Sequence, residues 1–319
     1  MHPEFKVTRK FLTCWETRDR LSPVLVKVLA RNMNDIPIIR SPEVEDYIVV
    51  LDHHKTALDY QATYGDRIAE AYENQKLILL PSIRVDADLE FLNALTFPPQ
   101  FKKISSGDGL GSSIMQRDGK RISRDPRHPI NIIIEDQGLA VYANHQITSV
   151  FEQLRLIIRQ LFPAYRSMRE GALTWRFSET RDENMHYDYF DQDSRFYSRQ
   201  HRVKFFINLD DAPRTGHLTH RIDRILRDHR EIFPETLPYH LNDVASIASS
   251  WPKLQDLPYH ELRFPQLSIV LGNAESIGHG VKYGNRVIGG EFFVPPEEML
   301  NPRKSLHGLY DPLKKYGFS

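Results

Sequence analysis

His186 and Asp188 stand two residues apart in the segment 185–190, Met-His-Tyr-Asp-Tyr-Phe. On an extended strand, residues i and i+2 project from one face. An imidazole and a carboxylate therefore point the same way, and Tyr187 points the other. Two imidazoles and a carboxylate on one face of a metal are the donor set of Fe(II) sites that handle dioxygen, because they leave three positions open. The third donor has to come from a distant strand. His279 fits this part: it lies between Gly278 and Gly280 at the start of a strand, where glycines let backbones approach closely. The His-x-acid spacing recurs at His2–Glu4 and His229–Glu231. The first is at the terminus, and the second is in a charged helical stretch where i and i+2 diverge. His217, His220, His240 and His260 read as surface or hydrogen-bonded residues, with His217 the strongest rival as third donor.

The elements that must position these residues follow from periodicity. Phe151, Leu154, Ile157, Ile158 and Leu161 recur at helical spacing, which predicts a helix over 148–165 with an apolar stripe lying against a sheet. Short aromatic or β-branched runs at 172–177, 185–190, 203–209, 267–272 and 286–294 predict strands. Segments 48–51 and 76–81 predict two more, and 56–72 a helix. Segment 101–128, rich in Gly, Ser, Lys and Arg, reads as a loop. Within it, 105–113 lacks the Gly-Lys-Ser/Thr ending of a phosphate-binding loop. Between 210 and 260 the sequence predicts an insert with helices at 221–230 and 241–249. Strands preceded by helices give an α+β fold, a two-sheet barrel backed by helices. Residues 1–70 read as a packing segment of the same domain, and 71–319 as the domain that carries the site.

Lys plus Arg and Asp plus Glu number 42 each, so the 319-residue chain has no net charge. A broad nucleic-acid footprint is not expected. One cysteine, Cys14, makes neither an internal disulfide nor a thiolate cage. No apolar run approaches the ~20 residues that span a bilayer, and the N-terminus is too charged for a signal peptide. The reading is a cytoplasmic protein, with contact peripheral to the inner membrane left open.

The order His-x-Asp, distant His and then an Arg at the next strand resembles the Fe(II)/2-oxoglutarate dioxygenases. More narrowly, the chain resembles the Kdo hydroxylases, which act on the sugar acid 3-deoxy-D-manno-octulosonic acid of lipopolysaccharide. The likeness rests on 161–177 (LFPAYRSMREGALTWRF), 185–190 (MHYDYF), 202–217 (RVKFFINLDDAPRTGH) and 264–299, with weaker matches at 76–83 and 101–107.

The resemblance implies a double-stranded β-helix (jelly-roll) that binds Fe(II) through His186, Asp188 and His279. It implies 2-oxoglutarate as cosubstrate with O2, and hydroxylation of an unactivated C–H bond with release of succinate and CO2. A carboxylate at 188 argues for hydroxylation over halogenation. A basic residue is expected on the distal carboxylate of 2-oxoglutarate. Lys204 and Arg286 both qualify, Arg with a two-pronged grip and Lys as a point charge. Asn208 and Arg176 are expected in the same pocket. Arg214 reads as a contact to an acidic substrate or as a turn residue. Trp175, Tyr187, Tyr189 and Phe190 read as pocket walls or core. Three functions stay open: hydroxylation of a Kdo-like sugar acid, the same chemistry on an amino acid or natural product, and metabolite binding without catalysis.

Overall fold

Along 201–208 the side chains alternate between two environments, and that alternation organises the molecule. Val203, Phe205 and Ile207 are fully buried in a large apolar cluster. Lys204 and Phe206, between them, line an interior pocket. The computed structural model describes residues 36–106, 113–123, 130, 133–189, 200–234 and 241–305. Cys14, Phe190, His240 and most of the 105–113 segment lie outside the described residues.

The chain runs through β1 (Ile38–Ile39), β2 (Ile48–Val50), α1 (Ala57–Tyr64), α2 (Arg67–Glu73), β3 (Leu77–Leu80), α3 (Leu89–Ala94), β4 (Phe101–Ser106), β5 (Ser113–Gln116) and β6 (Arg121–Ser123). It continues with α4 (Gln137–Leu161), β7 (Arg169–Arg176), β8 (Thr180–His186), β9 (His201–Asn208), β10 (Arg214–Arg221), α5 (Ile222–Asp228) and α6 (Leu241–Ser249). The last strands are β11 (His260–Phe264), β12 (Ile269–Leu271), β13 (Ile277–Gly284) and β14 (Val287–Val294). Among the described residues these form a five-stranded sheet, β1-β11-β10-β13-β8, and a nine-stranded sheet, β2-β3-β12-β9-β14-β7-β4-β5-β6. The fold is mixed α+β, as the sequence predicts.

Each sheet has one face toward helices and one toward the other sheet. Helix α4 buries Ala143, Ile147, Val150, Leu154 and Ile158 in the same cluster as Trp175, Phe205 and Phe292 of the nine-stranded sheet. Helices α5 and α6 cover the five-stranded sheet, where Ile225 and Val244 meet Met185 and Tyr187. Between the sheets, Leu79 and Val270 pack against Leu218 and Leu262. No described helix is long and apolar enough to cross a membrane.

Four expectations are corrected. Helix α4 begins at Gln137 rather than 148, because Asp136 caps it by accepting from the Leu139 N–H at 3.0 Å. Exposed Leu139, Val141 and Tyr142 blur its apolar stripe there. The expected loop at 101–128 contains β4, β5 and β6, which extend one edge of the nine-stranded sheet. The expected helical insert supplies α5 and α6 but also β10, and it runs into β11. The strand expected at 185–190 ends at His186, so Asp188 lies just beyond β8. From the segment 36–70, β1 and β2 each pair into one of the sheets.

Candidate metal centre

His186 and His279 are direct cross-strand partners on β8 and β13, with ring centroids 4.4 Å apart. The two strands come this close because residue 280 has no side chain. A Cβ there would lie 3.0 Å from Glu183 O and 3.3 Å from Met185 N. The ring of His186 donates from Nδ1 to Asn184 O at 2.8 Å, and that of His279 from Nδ1 to Ile277 O at 3.0 Å. A carbonyl oxygen only accepts, so each ring carries a proton on Nδ1 and turns Nε2 toward Asp188. Burial pushes His279 well below the ordinary histidine pKa, and the neighbouring His186 and Lys204 add to the effect. The ring is neutral, as a metal donor has to be.

Asp188 completes the set from beyond the strand end. Its N–H donates to Ala274 O at 2.8 Å, which keeps the backbone extended and the carboxylate on the histidine side. Oδ1 lies 3.7 Å from His186 Nε2 and 3.8 Å from His279 Nε2. One donor atom from each of the three residues lies within 4.8 Å of the other two. Two neutral nitrogens and one carboxylate oxygen, converging from one side, fit a first-row divalent ion such as Fe(II).

Beside this cluster opens a pocket of about 300 Å³ between the sheets, with Lys103, Arg176, Glu183, Arg214 and Glu291 in its walls. A second, apolar cavity of about 70 Å³ lies toward β10, β11 and β12, lined by Leu218, Leu262, Phe264 and Val270. Phe206, Arg214, His279 and Val281 border both.

The residues expected to hold the cosubstrate separate into two groups. Lys204 and Arg176 line the pocket. The Lys204 ammonium contacts Asp188 Oδ2. Burial pushes it down to about 8, against the pull of Glu291 and Glu275. Arg176 Nη1 donates to both oxygens of Glu183 at 3.3 Å. Arg286 and Asn208 do not line it. The guanidinium of Arg286 is buried under Phe97 and donates to the carbonyls of Phe177 and Leu95. Asn208 donates to Ala212 O at 2.9 Å and ties down the turn after β9. Trp175 and Tyr187 belong to the apolar clusters on the outer sheet faces. Tyr189 lines the pocket.

Arg214 is the cation whose place the sequence left open. It opens β10 with 7 % of its surface exposed, and Nη1 has no hydrogen-bond partner among the described residues. Burial lowers its pKa to about 10; the charge of Arg176 adds to this and that of Glu183 opposes it. His217, the rival third donor, stacks on Tyr259 and faces Glu261 at 3.6 Å.

No protein-family model matches the chain, and no curated protein matches it in sequence. Solved structures do match. One is the Kdo hydroxylase KdoO, a non-heme Fe(II) alphaketoglutarate dependent dioxygenase, in complex with succinate and Fe(III). It aligns over 84% of this chain and 96% of its own with a TM-score of 0.62 at 15% identity. The chain has its fold. The same hydroxylase in complex with alphaketoglutarate and Fe(III) aligns with a TM-score of 0.62 at 14% identity, over the same shares of the two chains. Its apo structure aligns at 0.61 and 14% over those same shares.

Proposed function

We propose that this chain is an Fe(II)- and 2-oxoglutarate-dependent dioxygenase, built on a double-stranded β-helix, that hydroxylates an unactivated C–H bond. The convergence of His186, Asp188 and His279 on one point beside an open pocket carries the reading. The match in fold to a solved enzyme of this type supports it. When bound, Fe(II) and 2-oxoglutarate supply dioxygen activation coupled to oxidative decarboxylation, which releases succinate and CO2.

The chain's own residues do the holding. The two imidazoles and Asp188 take one face of the metal and leave the rest to ligands. Arg214 grips the distal carboxylate of 2-oxoglutarate. Among the pocket cations, Arg176 is matched to Glu183 and Lys204 to Asp188, while Arg214 has a guanidinium nitrogen without a hydrogen-bond partner among the described residues. Its fork suits a carboxylate, and an unpaired buried cation is costly until an anion arrives. Phe206 and Val281 flank the same space and keep water from it.

The substrate in this reading is a small acidic molecule, with a Kdo-like sugar acid of lipopolysaccharide first among candidates. Lys103, Arg176, Arg202, Lys204 and Arg214 outnumber Glu183, Asp188 and Glu291 in the pocket wall, which favours an anion. The reading places the protein in the cytoplasm. The test is succinate formation from 2-oxoglutarate with Fe(II), ascorbate and a panel of sugar acids, amino acids and natural products. Substrate-stimulated succinate, absent in His186→Ala, is the expected result. Stable 2-oxoglutarate across the panel would leave a metabolite-binding protein without catalysis.

A further inference from the structure

The two oxygens of Asp188 face different partners. Oδ1 faces the two imidazole Nε2 atoms at 3.7 and 3.8 Å. Oδ2 meets the ammonium of Lys204, and Arg202 Nη2 lies 4.0 Å away on the same side. We infer that Lys204 is a positioning residue that confines Asp188 to one metal-facing oxygen and so keeps the third open coordination position free. The inference rests on the metal reading given under Proposed function.

A carboxylate binds a divalent cation through one oxygen or through both. With two imidazoles and one oxygen, a six-coordinate ion keeps three positions, enough for a two-toothed cosubstrate and dioxygen. With both oxygens bound it keeps two, and one of those partners is shut out. Whichever group occupies Oδ2 therefore sets how many ligands the metal can take.

Lys204 is built to hold that place. It sits in the middle of β9, opposite Glu291 on β14. Its N–H donates to the Tyr72 hydroxyl at 2.8 Å, and its carbonyl accepts from the Gly272 N–H at 3.1 Å. Its side chain is only 14% exposed. Arg202 cannot substitute, because its guanidinium already serves Glu275 at 2.8 Å and Glu291. A buried ammonium beside a site for a dication opposes metal binding by like-charge repulsion. That repulsion makes no sense for a residue whose role is affinity. It makes sense for one that trades affinity for an open position, with Glu275 and Glu291 offsetting the charge.

The test uses the full chain, anaerobically, with Co(II) or Fe(II) and no cosubstrate. X-ray absorption counts and types the metal ligands in wild type, Lys204→Met and Lys204→Arg; Lys204→Gln serves if the Met variant does not fold. The neutral variants are expected to bind Co(II) at least as tightly as wild type, with Asp188 bound through both oxygens. Their affinity for 2-oxoglutarate, read by titration of the anaerobic Fe(II) complex, is expected to fall about 10-fold or more, and Lys204→Arg to restore much of it. An unchanged metal-only shell in the neutral variants overturns the inference, even if 2-oxoglutarate affinity falls, since Lys204 would then be gripping the cosubstrate itself. If wild type takes up neither metal, the metal reading fails first and is seen to fail before any variant is compared.

Discussion

Arg214 passes over Gly284 so closely that a Cβ at residue 284 would lie 2.3 Å from its Nη1. The empty space at that glycine, the last residue of β13, lets the guanidinium extend from β10 across its neighbour strand. Replacing Gly284 with Ala should push Arg214 aside without changing any charge. The expected outcome is a KM for 2-oxoglutarate raised by about 10-fold or more, with Co(II) affinity unchanged. Arg214→Met should raise it further, by about 100-fold, the scale of a lost charge-assisted contact of 2–3 kcal/mol. Normal 2-oxoglutarate kinetics in Arg214→Met would remove this residue from the cosubstrate site.

The facing pair His186 and His279 should fail together with Asp188. Each single alanine variant removes one of three donors and should cut Co(II) or Fe(II) affinity by about 100-fold or more. The apo fold should persist, because His186 and Asp188 are partly exposed. Thermal melts check both statements: wild type should gain stability on adding metal through binding to the native state alone, and the variants should not. A variant that keeps a wild-type metal-induced shift would take its residue out of the ligand set.

The histidine pair was legible because strand alternation and flanking glycines speak locally. His186 and Asp188 share a face even though the strand ends between them, since the Asp188 N–H still finds a carbonyl partner at Ala274. Strand β10 was not legible. Its inward positions carry Arg214, Gly216 and Leu218, whose mixed polarity gives no apolar alternation, and its opposite face carries His217, which stacks on Tyr259. Strands β4, β5 and β6 were hidden for another reason. They form a sheet edge, where lysines and serines are tolerated and discourage pairing with another chain; Phe101, Ile104 and Ile114 are the apolar residues they bury among the described ones. Arg286 was the other candidate beside Lys204 for the cosubstrate grip; its backbone turns at φ 44° between β13 and β14, and its guanidinium donates to two carbonyls.

That assignment gives Arg286 a structural role with its own test. Arg286→Met strands the carbonyls of Leu95 and Phe177, which the guanidinium now bridges. Unsatisfied buried acceptors cost about 1–3 kcal/mol each. The melting temperature should drop by several degrees, while the KM for 2-oxoglutarate of the folded protein stays within about two-fold of wild type. A large rise in KM with an unchanged melt would reverse the roles assigned to Arg286 and Arg214.

Acid stability offers a check far from the metal. Burial works to raise the pKa of Glu45, but hydrogen bonds outweigh it and hold the carboxylate at about 2, against 4.5 ordinarily. Oε2 accepts from His220 Nδ1 at 2.9 Å and from Arg224 Nη1 at 3.0 Å, and Oε1 from the Arg221 N–H at 2.9 Å. A carboxyl whose folded pKa is depressed binds fewer protons folded than unfolded. Its contribution is full above about pH 4.5 and is lost as the pH falls toward 2. With the side chain one-quarter exposed, about 2 kcal/mol is a fair discounted magnitude. Urea unfolding of wild type and Glu45→Gln should therefore differ by about that much at pH 7, and the two curves should draw together as the pH falls from about 4.5 toward 2. A difference that stays constant across this range would mean that Glu45 contributes by packing and neutral hydrogen bonding, with its charge playing no part.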